Sequence, residues 1–318
     1  MPKTRLFFAT DIHGSERCFL KFVNVAKFYK ADVLILGGDV TGKMVVPIVK
    51  ENNGSFRTTL LGENHAFRTE EELSQTKNRI SAVGFYPYVT SQEEMAELEA
   101  SEEKVNALFK KLMIESVKKW VGIAEERLKG MGIKCFINAG NDDAFDVDSV
   151  LENSQYVIHP EGKVVSIDDE HEMISCGFSN ITPWRCPRDI SEEELAVKIG
   201  EMVEKVEDMQ KCIFNLHCPP VGTGIDQAPR LDMELKPILA PGGQPEMISV
   251  GSTAVRESIE KYKPMLGLHG HIHESKGTFK LGKTLCINPG SEYTEGILRG
   301  FLTDISEKGL KDYLFTAG

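Results

Sequence analysis

The sequence predicts an α/β fold, and two observations lead to that prediction. The chain opens with a strand at residues 5–11, an amphipathic helix of about 15 residues and a second strand at 32–36, an alternation typical of α/β proteins. Polar residues such as Asp11 and Asp39 stand where the apolar runs end. Because ligands of α/β folds gather outside the carboxyl ends of strands, we expect the functional site there.

The length and composition are those of a globular protein. The chain has 318 residues, of which 41% are hydrophobic and 27% charged, and no apolar run approaches the length of a membrane span. We interpret residues 1–318 as a single domain with a helical cap insertion at about 51–130. The N-terminus leads straight into a strand without a signal-peptide pattern, so we expect a cytoplasmic protein with no membrane partner.

Net charge and cysteine usage limit the classes of partner. The formal net charge of −11 disfavours nonspecific binding to nucleic acid, which depends on a basic surface. A local site could still bind phosphate if metal ions supplied the positive charge. The seven cysteines are scattered without a Cys-x-x-Cys pair, so we expect reduced thiols.

The segment at 51–130 interrupts the alternation of strands and helices. Residues 54–87 are mixed and loop-rich, and Ser91 then begins a long helical pattern that runs to about Lys129 with an interrupted apolar stripe. Three interpretations of this helix stay open: a solvent-exposed surface helix, a lid over the site, or a contact that forms a homo-oligomer through the cap helix.

After the insertion, strand and helix patterns alternate again. Strands are predicted at 133–139, 156–159, 163–167, 171–177, 212–216, 264–268, 277–281, 284–288, 298–305 and 310–315, and helices at 145–153, 191–210 and 249–261. The three strands between 156 and 177 are expected to pair in antiparallel fashion.

Polar residues at the strand ends form the candidate site. They comprise two carboxylates, one amide and four of the chain's eight histidines: Asp11, His13, Asp39, Asn141, His217, His271 and His273. Each piece alone has an ordinary explanation as a turn or a cap. One metal ion takes roughly four to six donors, so this set, with one carboxylate shared, fits two adjacent ions. Oxygen and nitrogen donors without thiolate favour Mn, Fe or Zn.

The order and spacing of these residues resemble those of a known family. The set Asp11-x-His13, Gly38-Asp39, Gly140-Asn141, His217 and Gly270-His271-x-His273 resembles the calcineurin-like metallophosphoesterase superfamily over residues 5 to about 305. The run from His217 to Asp226 is similar to a prokaryotic, poorly characterised branch of it. The resemblance implies a four-layer αββα sandwich, with two mixed sheets flanked by helices, and a phosphoric ester hydrolase.

The resemblance also implies how the metal ions are held. Asp11, His13 and His273 would bind one ion, Asn141, His217 and His271 the other, and Asp39 would bridge them. Paired ions of this kind lie about 3.5–4 Å apart, and a hydroxide held between them would attack phosphorus. No nucleophile from the protein is then needed.

One position departs from the family's common pattern. Many members have histidine after the Gly-Asn pair, where it is thought to assist the leaving group, but this chain has Asp142. A carboxylate near two cations stays ionised and is a poor general acid at pH 7. We therefore expect Asn141 and Asp142 at the reacting centre and a preference for good leaving groups, with His65 in the cap as an alternative acid. An ordinary polar loop residue is the simpler interpretation of His65.

The predicted function is a dinuclear metal-dependent phosphoesterase that acts on a small phosphate ester of the phosphodiester or nucleotide type. A nuclease or nucleic-acid repair enzyme on the same scaffold is the first alternative, and the acidic balance argues against it. A non-catalytic interaction module that uses the long helix is the second, although such a module would be expected to have lost ligands.

Other polar residues receive structural interpretations. For residues 288–291 we favour a simple turn over the alternative of a segment that passes close to the site, and we expect core or edge positions for His171 and His269. Surface roles are expected for Arg68, Arg79, Arg185 and Arg188.

Overall fold

The computed structural model describes residues 3–318. The strands are β1 (Thr4–Ala9), β2 (Val33–Leu36), β3 (Val45–Lys50), β4 (Phe56–Leu60), β5 (Glu63–Phe67), β6 (Tyr86–Ser91), β7 (Lys134–Ile137), β8 (Val164–Ser166), β9 (Glu172–Cys176), β10 (Ser179–Asn180), β11 (Asp189–Ile190), β12 (Cys212–Leu216), β13 (Gln227–Pro229), β14 (Met247–Ser249), β15 (Leu266–Leu268), β16 (Gly277–Leu281), β17 (Thr284–Asn288), β18 (Arg299–Ser306) and β19 (Gly309–Ala317). The helices are α1 (Glu16–Tyr29), α2 (Glu70–Ala82), α3 (Gln92–Glu99), α4 (Glu102–Leu128), α5 (Asp146–Glu152), α6 (Glu192–Val203) and α7 (Thr253–Tyr262).

Two mixed sheets form the centre of the molecule. The first has the order β19-β18-β1-β2-β7, in which β1, β2 and β7 are parallel. The second has the order β16-β17-β15-β12-β9-β8, in which β17, β15, β12 and β9 are parallel. The antiparallel strands β18 and β19 lie on one side of the first sheet, whose other edge is the parallel strand β7. In the second sheet both edge strands, β8 and β16, are antiparallel to their neighbours.

Both faces of each central sheet are buried, and this produces four layers. In β1, Leu6 and Phe8 point into the core between the sheets, whereas Phe7 and Ala9 face the core under α1, α4 and α5. In β12, Phe214 belongs to a third core that covers the second sheet with α6 and α7. Alternating side chains reach opposite faces of a strand, so strands buried on both faces are apolar throughout. The predicted αββα sandwich is confirmed.

A small sheet was missed by the sequence analysis. Strands β3 to β6 form a sheet with the order β5-β4-β3-β6, and α2 packs on it around its own apolar cluster, which includes Ile48 and Ile80. The turn between β4 and β5 has positive φ at both Leu61 and Gly62, at 51° and 82°, as type I′ hairpins require. Leucine rarely takes the first of these positions, and Pro47 weakens the strand pattern of β3. The interpretation of the chain as one domain with an insertion stays a prediction.

The long helical pattern corresponds to two helices, because the helical conformation is interrupted between α3 and α4. Ser101 lies at this interruption and caps the N-terminus of α4. The apolar stripe of α4 is part of the core beneath the first sheet. Trp120 is 3% exposed and stacks on Phe19 of α1, with ring centroids 4.4 Å apart. A homo-oligomer through this helix stays a prediction, and it would have to use the outer face of α4.

Two further differences are local. Residues 156–159 form no strand, because only Ile158 bridges to Phe136 of β7, and that bridge is parallel. Helix α6 ends at Val203, seven residues before the predicted end at 210. No helix within residues 3–318 combines the length and the apolar character that a membrane crossing requires.

Candidate metal centre

The first sheet delivers three of the predicted ligands side by side. Residues Ala9, Leu36 and Ile137 are in register at the carboxyl ends of three parallel strands, β1, β2 and β7. Asp11 follows the first of these strands and Asp39 the second. Asn141 lies four positions after Ile137, the last residue of the third strand. Parallel neighbours end at one edge of a sheet, so these side chains meet there.

The second sheet delivers the histidines from the opposite side. His217 directly follows β12, and His271 follows the parallel neighbour β15 by three residues. The backbone N–H of Gly270 donates to the carbonyl of His217 at 2.9 Å, which ties the two loops together. His273 lies one residue beyond Ile272 in the same turn.

All seven predicted ligands converge at the point where the two sheets meet. Three groups of carboxylate and histidine side chains each have their ligand atoms within 4.8 Å of one another, and Asn141 Oδ1 lies 2.9 Å from His271 Nδ1. The first group is Asp11, His13 and His273, and the second is Asp39, His217 and His271. The third group, His13, Asp39 and Asp142, adds the rim carboxylate of Asp142 to two of these residues. The first two groups contain residues that the resemblance assigns to separate ions, and Asp39 lies close to both because its Oδ2 is 3.6 Å from His13 Nε2. The assignment of ligands to two ions stays a prediction.

Buried ring nitrogens without hydrogen-bond partners show that the cluster is suited to a metal ion. His217 is 1% exposed, yet neither of its ring nitrogens has a hydrogen-bond partner within the described residues. Its Nε2 lies 3.4 Å from Asp39 Oδ2 and 3.8 Å from Asp11 Oδ1. Buried polar atoms without partners are costly. A cation bound between imidazole and carboxylate would satisfy both.

Burial and mutual charge set the protonation of the metal-free cluster. Burial opposes ionisation of Asp11 and Asp39, but the His217 imidazolium lowers the pKa of both carboxyls. Burial also opposes the charge on His217, but Asp39 and Asp11 outweigh it and raise its pKa to about 9. Burial lowers the pKa of His13 to about 3 and that of His271 to about 4. Those two rings are therefore already neutral, as metal ligation requires.

Four of the seven candidate ligands have left-handed backbone conformations. The φ angles are 53° at Asp11, 38° at His13, 49° at Asp39 and 68° at His271. Such conformations cost about 1–3 kcal/mol each outside glycine and persist only where the surroundings impose them. Backbone hydrogen bonds of 3.0 Å from Asp11 to Gly38 and from His13 to Asp39 do so here.

Glycines beside the ligands allow the loops to approach closely. A Cβ atom on Gly140 would lie 2.2 Å from Asp39 Oδ1, and one on Gly270 would lie 2.3 Å from Asp11 Oδ2. No side chain fits at either position, which explains why glycine precedes Asn141 and His271 in the motif.

Asp189 orients Asn141 and was missed by the sequence analysis. Its Oδ1 accepts a 2.9 Å hydrogen bond from Asn141 Nδ2, which turns the Asn141 carbonyl oxygen toward His271. Its Oδ2 accepts from the backbone of Thr182 and Cys186, at 2.9 Å each. Partners of this kind fix the orientation of metal ligands.

The segment at 288–291 supports the site, which agrees with the alternative interpretation and not with the favoured one of a simple turn. Asn288 Nδ2 donates to the carbonyls of Gly270 and Ile272, at 3.2 and 2.9 Å. The hydroxyl of Ser291 donates to the carbonyl of Asp11 at 2.6 Å. Both contacts hold the turns that carry the candidate ligands.

Asp142 lies at the rim of the cluster and is paired with a lysine. Its Oδ2 is 2.8 Å from Lys43 Nζ and 3.8 Å from His13 Nδ1. The ring of Tyr293 packs on His13 with centroids 4.8 Å apart. Neither Lys43 nor Tyr293 was found from the sequence, because a lysine four residues after Asp39 and a tyrosine two residues after Ser291 form no recognisable motif.

The remaining candidates lie outside the cluster. His65, the alternative acid, is on the edge strand β5, and its Nε2 lies 3.9 Å from Glu63 Oε2. His269 is fully buried as expected, with Nδ1 2.7 Å from the carbonyl of Leu216. The surface role expected for Arg188 is wrong, because it is 1% exposed and pairs with Asp148 at 2.7 Å.

Comparison with known proteins adds the fold but no activity. No family model matches the chain. An uncharacterised protein of Methanocaldococcus jannaschii is 29% identical over 152 residues, which are 47% of this chain and 61% of that protein. The match therefore spans about three fifths of that relative's length.

Solved structures resemble the whole chain. One aligns over 99% of both chains with a TM-score of 0.57 and 16% identity. The protein TT1561 of Thermus thermophilus aligns over 100% of this chain and 99% of its own, with a TM-score of 0.53 and 12% identity. At these identities the likeness concerns the fold alone. The phosphoesterase YfcE of E. coli also aligns, but its TM-score of 0.30 and identity of 10% are too low to support an argument.

Proposed function

We propose that this protein is a metal-dependent phosphoesterase that holds two divalent cations, Mn, Fe or Zn, and hydrolyses small phosphodiester or nucleotide-type esters. The convergence of the two Asp/His groups, which share one buried cluster at the ends of parallel strands from both sheets, carries this proposal. The resemblance of the motif set to calcineurin-like metallophosphoesterases adds the reaction class.

The chemistry of the cluster suits phosphoryl transfer to water. Bound divalent cations supply a water of lowered pKa and positive charge for the phosphoryl oxygens. The chain contributes the ligands in fixed positions, with Asp189 and Asn288 holding Asn141 and the His271 turn. Because water would be the nucleophile, the proposed reaction needs no serine, threonine or cysteine for that role.

The rim of the cluster bears on the substrate class. After Asn141 this chain has the carboxyl group of Asp142, which lies 2.8 Å from Lys43 Nζ, and not the histidine that many members of the resembled superfamily have there. We therefore expect rates that depend strongly on the pKa of the leaving group, with phosphodiesters of aryl alcohols and pyrophosphate bonds hydrolysed faster than alkyl monoesters. Measured rates across such a series, with Mn added, test this. Equal rates on alkyl monoesters and aryl diesters would contradict it.

The proposed activity is tested by metal analysis together with a chromogenic diester assay. We expect about two Mn per chain and Mn-dependent hydrolysis, both strongly reduced in His217→Gln. His65→Gln is the matched control, since it makes the same chemical change on the edge of the small sheet. A protein that binds no metal, or a His217→Gln variant with full activity, would disprove the proposal. Loss of activity in His65→Gln alone would instead favour the cap histidine as an acid.

A nuclease on the same scaffold remains the alternative activity, and the net charge of −11 argues against it. Salt-dependent binding to DNA in the presence of Mn would favour that alternative.

A further inference from the structure

The loop between Asp39 and Lys43 is held by hydrogen bonds to side chains that are distant in the sequence. The buried carboxylate of Asp143 accepts hydrogen bonds from the backbone N–H of Val40 at 2.9 Å and of Thr41 at 2.8 Å. The next N–H, that of Gly42, donates to the Tyr86 hydroxyl at 2.7 Å. Three consecutive backbone N–H groups before Lys43 are therefore held by two side chains distant in the sequence, Asp143 in the loop between β7 and α5 and Tyr86 in β6.

Lys43 extends from this fixed loop to the edge of the ligand cluster. Its ammonium lies 2.8 Å from Asp142 Oδ2, which in turn lies 3.8 Å from His13 Nδ1. The backbone N–H of Asp142 donates to Asp39 Oδ1 at 3.0 Å, so the carboxylate that holds Lys43 is itself tied to the cluster. The side chain of Lys43 remains 46% exposed, so an incoming anion can reach it.

The charges around the cluster leave a role for this lysine. The carboxylates of Asp11, Asp39 and Asp142 all lie at or beside the cluster and repel an anionic ester. Among the ion pairs of the described residues, Lys43 is the one lysine or arginine that pairs with a residue of this group. A lysine is a flexible point charge with three donors, suited to meet a phosphoryl oxygen from one side.

We propose that Lys43 is an additional substrate-binding residue that contacts the phosphoryl group, and that Asp142 is a positioning residue that acts by holding Lys43. This inference rests on the proposed function and extends it. It replaces the expectation that Asp142 itself takes part at the reacting centre with a role that passes through another side chain. At the position where many members of the resembled superfamily have histidine, this chain then has a carboxylate, Asp142, paired with the ammonium of Lys43.

Binding of inorganic phosphate to the Mn-loaded protein, measured by calorimetry, tests the inference without relying on turnover. Lys43→Met keeps the length of the side chain and removes the charge. We expect it to weaken phosphate binding at least tenfold while Mn affinity and the melting temperature stay near those of the wild type. Lys43→Arg should recover most of the binding. Lys283→Met, in the exposed turn between β16 and β17, is the control and should change nothing.

A double-mutant cycle tests the role of Asp142. If Asp142 acts through Lys43, Asp142→Asn should weaken phosphate binding about three- to tenfold in the wild type. It should not weaken binding in Lys43→Met, where it only removes a carboxylate that repels the anion. Phosphate binding within twofold of wild type in Lys43→Met, or an Asp142→Asn effect that persists in that background, would overturn the inference. Failure of the wild type to bind Mn or to hydrolyse any ester would instead count against the proposed function.

Discussion

At the scale of single residues, His217 combines full burial with a raised pKa. Asp39 and Asp11 raise its pKa to about 9 in the metal-free protein, although full burial opposes the charge. A metal ion needs the neutral ring, so it competes with a proton at this position. The same carboxylates that favour the imidazolium are the groups that would share the ion.

This competition predicts how metal affinity depends on pH. The folded protein keeps the His217 proton up to about pH 9, so ion binding must release it. We expect the apparent Mn association constant to rise about tenfold per pH unit between pH 7 and 9 and to level off above. Calorimetry in two buffers of different ionisation enthalpy should detect about one proton released at pH 7.5. A pH-independent affinity, with no proton release, would be inconsistent with this protonation.

Asp189 provides a test of ligand orientation. Asp189→Ala removes the acceptor that holds Asn141 Nδ2, so the amide loses its fixed orientation. We expect Mn affinity to fall about 10- to 100-fold, as measured for such partners in other metal sites. Asp232→Ala, in an exposed turn of the loop at 230–246, serves as the comparison and should leave Mn affinity unchanged. Equal affinities in the two variants would show that Asp189 has no such role.

The parts of the site that follow from local pattern were predictable at the residue scale. Asp11 and His217 stand directly after apolar runs, and strand ends are where ligands gather. Lys43 and Asp189 were not predictable, because each acts across a contact with a residue distant in the sequence, 99 positions away for Lys43 with Asp142 and 48 for Asp189 with Asn141. The left-handed conformation of His13 also has no counterpart in its sequence context.

Register decides the site at the scale of secondary-structure elements. Because β1, β2 and β7 are parallel and aligned at their ends, three separate loops open at one edge of the first sheet. The pairing of β12 with β15 does the same for the second sheet. A shift of one residue in any of these pairs would turn a ligand away, since side chains alternate between the two faces.

Helix α4 shows where element-level prediction failed. Its long, interrupted apolar stripe left a surface helix, a lid or an oligomer contact open, since periodicity specifies a face and not its partner. The structure places that face against α1, where Trp120 stacks on Phe19. The small sheet was missed for a different reason. Leucine at the first central position of the β4–β5 turn, Leu61, is not typical of a type I′ hairpin, where glycine or asparagine would have indicated the turn.

The packing of α4 makes a prediction about stability. Trp120→Ala removes a buried ring from the core beneath the first sheet and should cost about 3–5 kcal/mol in the free energy of unfolding. Val105→Ala, at an exposed position of the same helix, should cost far less. Urea titration of both variants measures the difference. Equal stabilities would indicate that α4 is a detachable cap and not part of the core.

At the scale of the whole molecule, four layers bring two sets of strand ends to one place. The core between the sheets holds their spacing, with Phe8 and Phe136 from the first sheet against Ile213 and Leu268 from the second. The two candidate metal groups lie where these sheets end, so the distance between them depends on the packing of the entire core. On the proposed function, an acidic protein would gain a local site for anions in this way, because bound ions and Lys43 would supply the positive charge.

Anomalous diffraction from crystals soaked in manganese tests the central claim most directly. We predict two manganese peaks per chain, one among Asp11, His13 and His273 and the other among Asp39, His217 and His271. A single peak elsewhere, or no peak while these side chains keep their positions, would contradict the account.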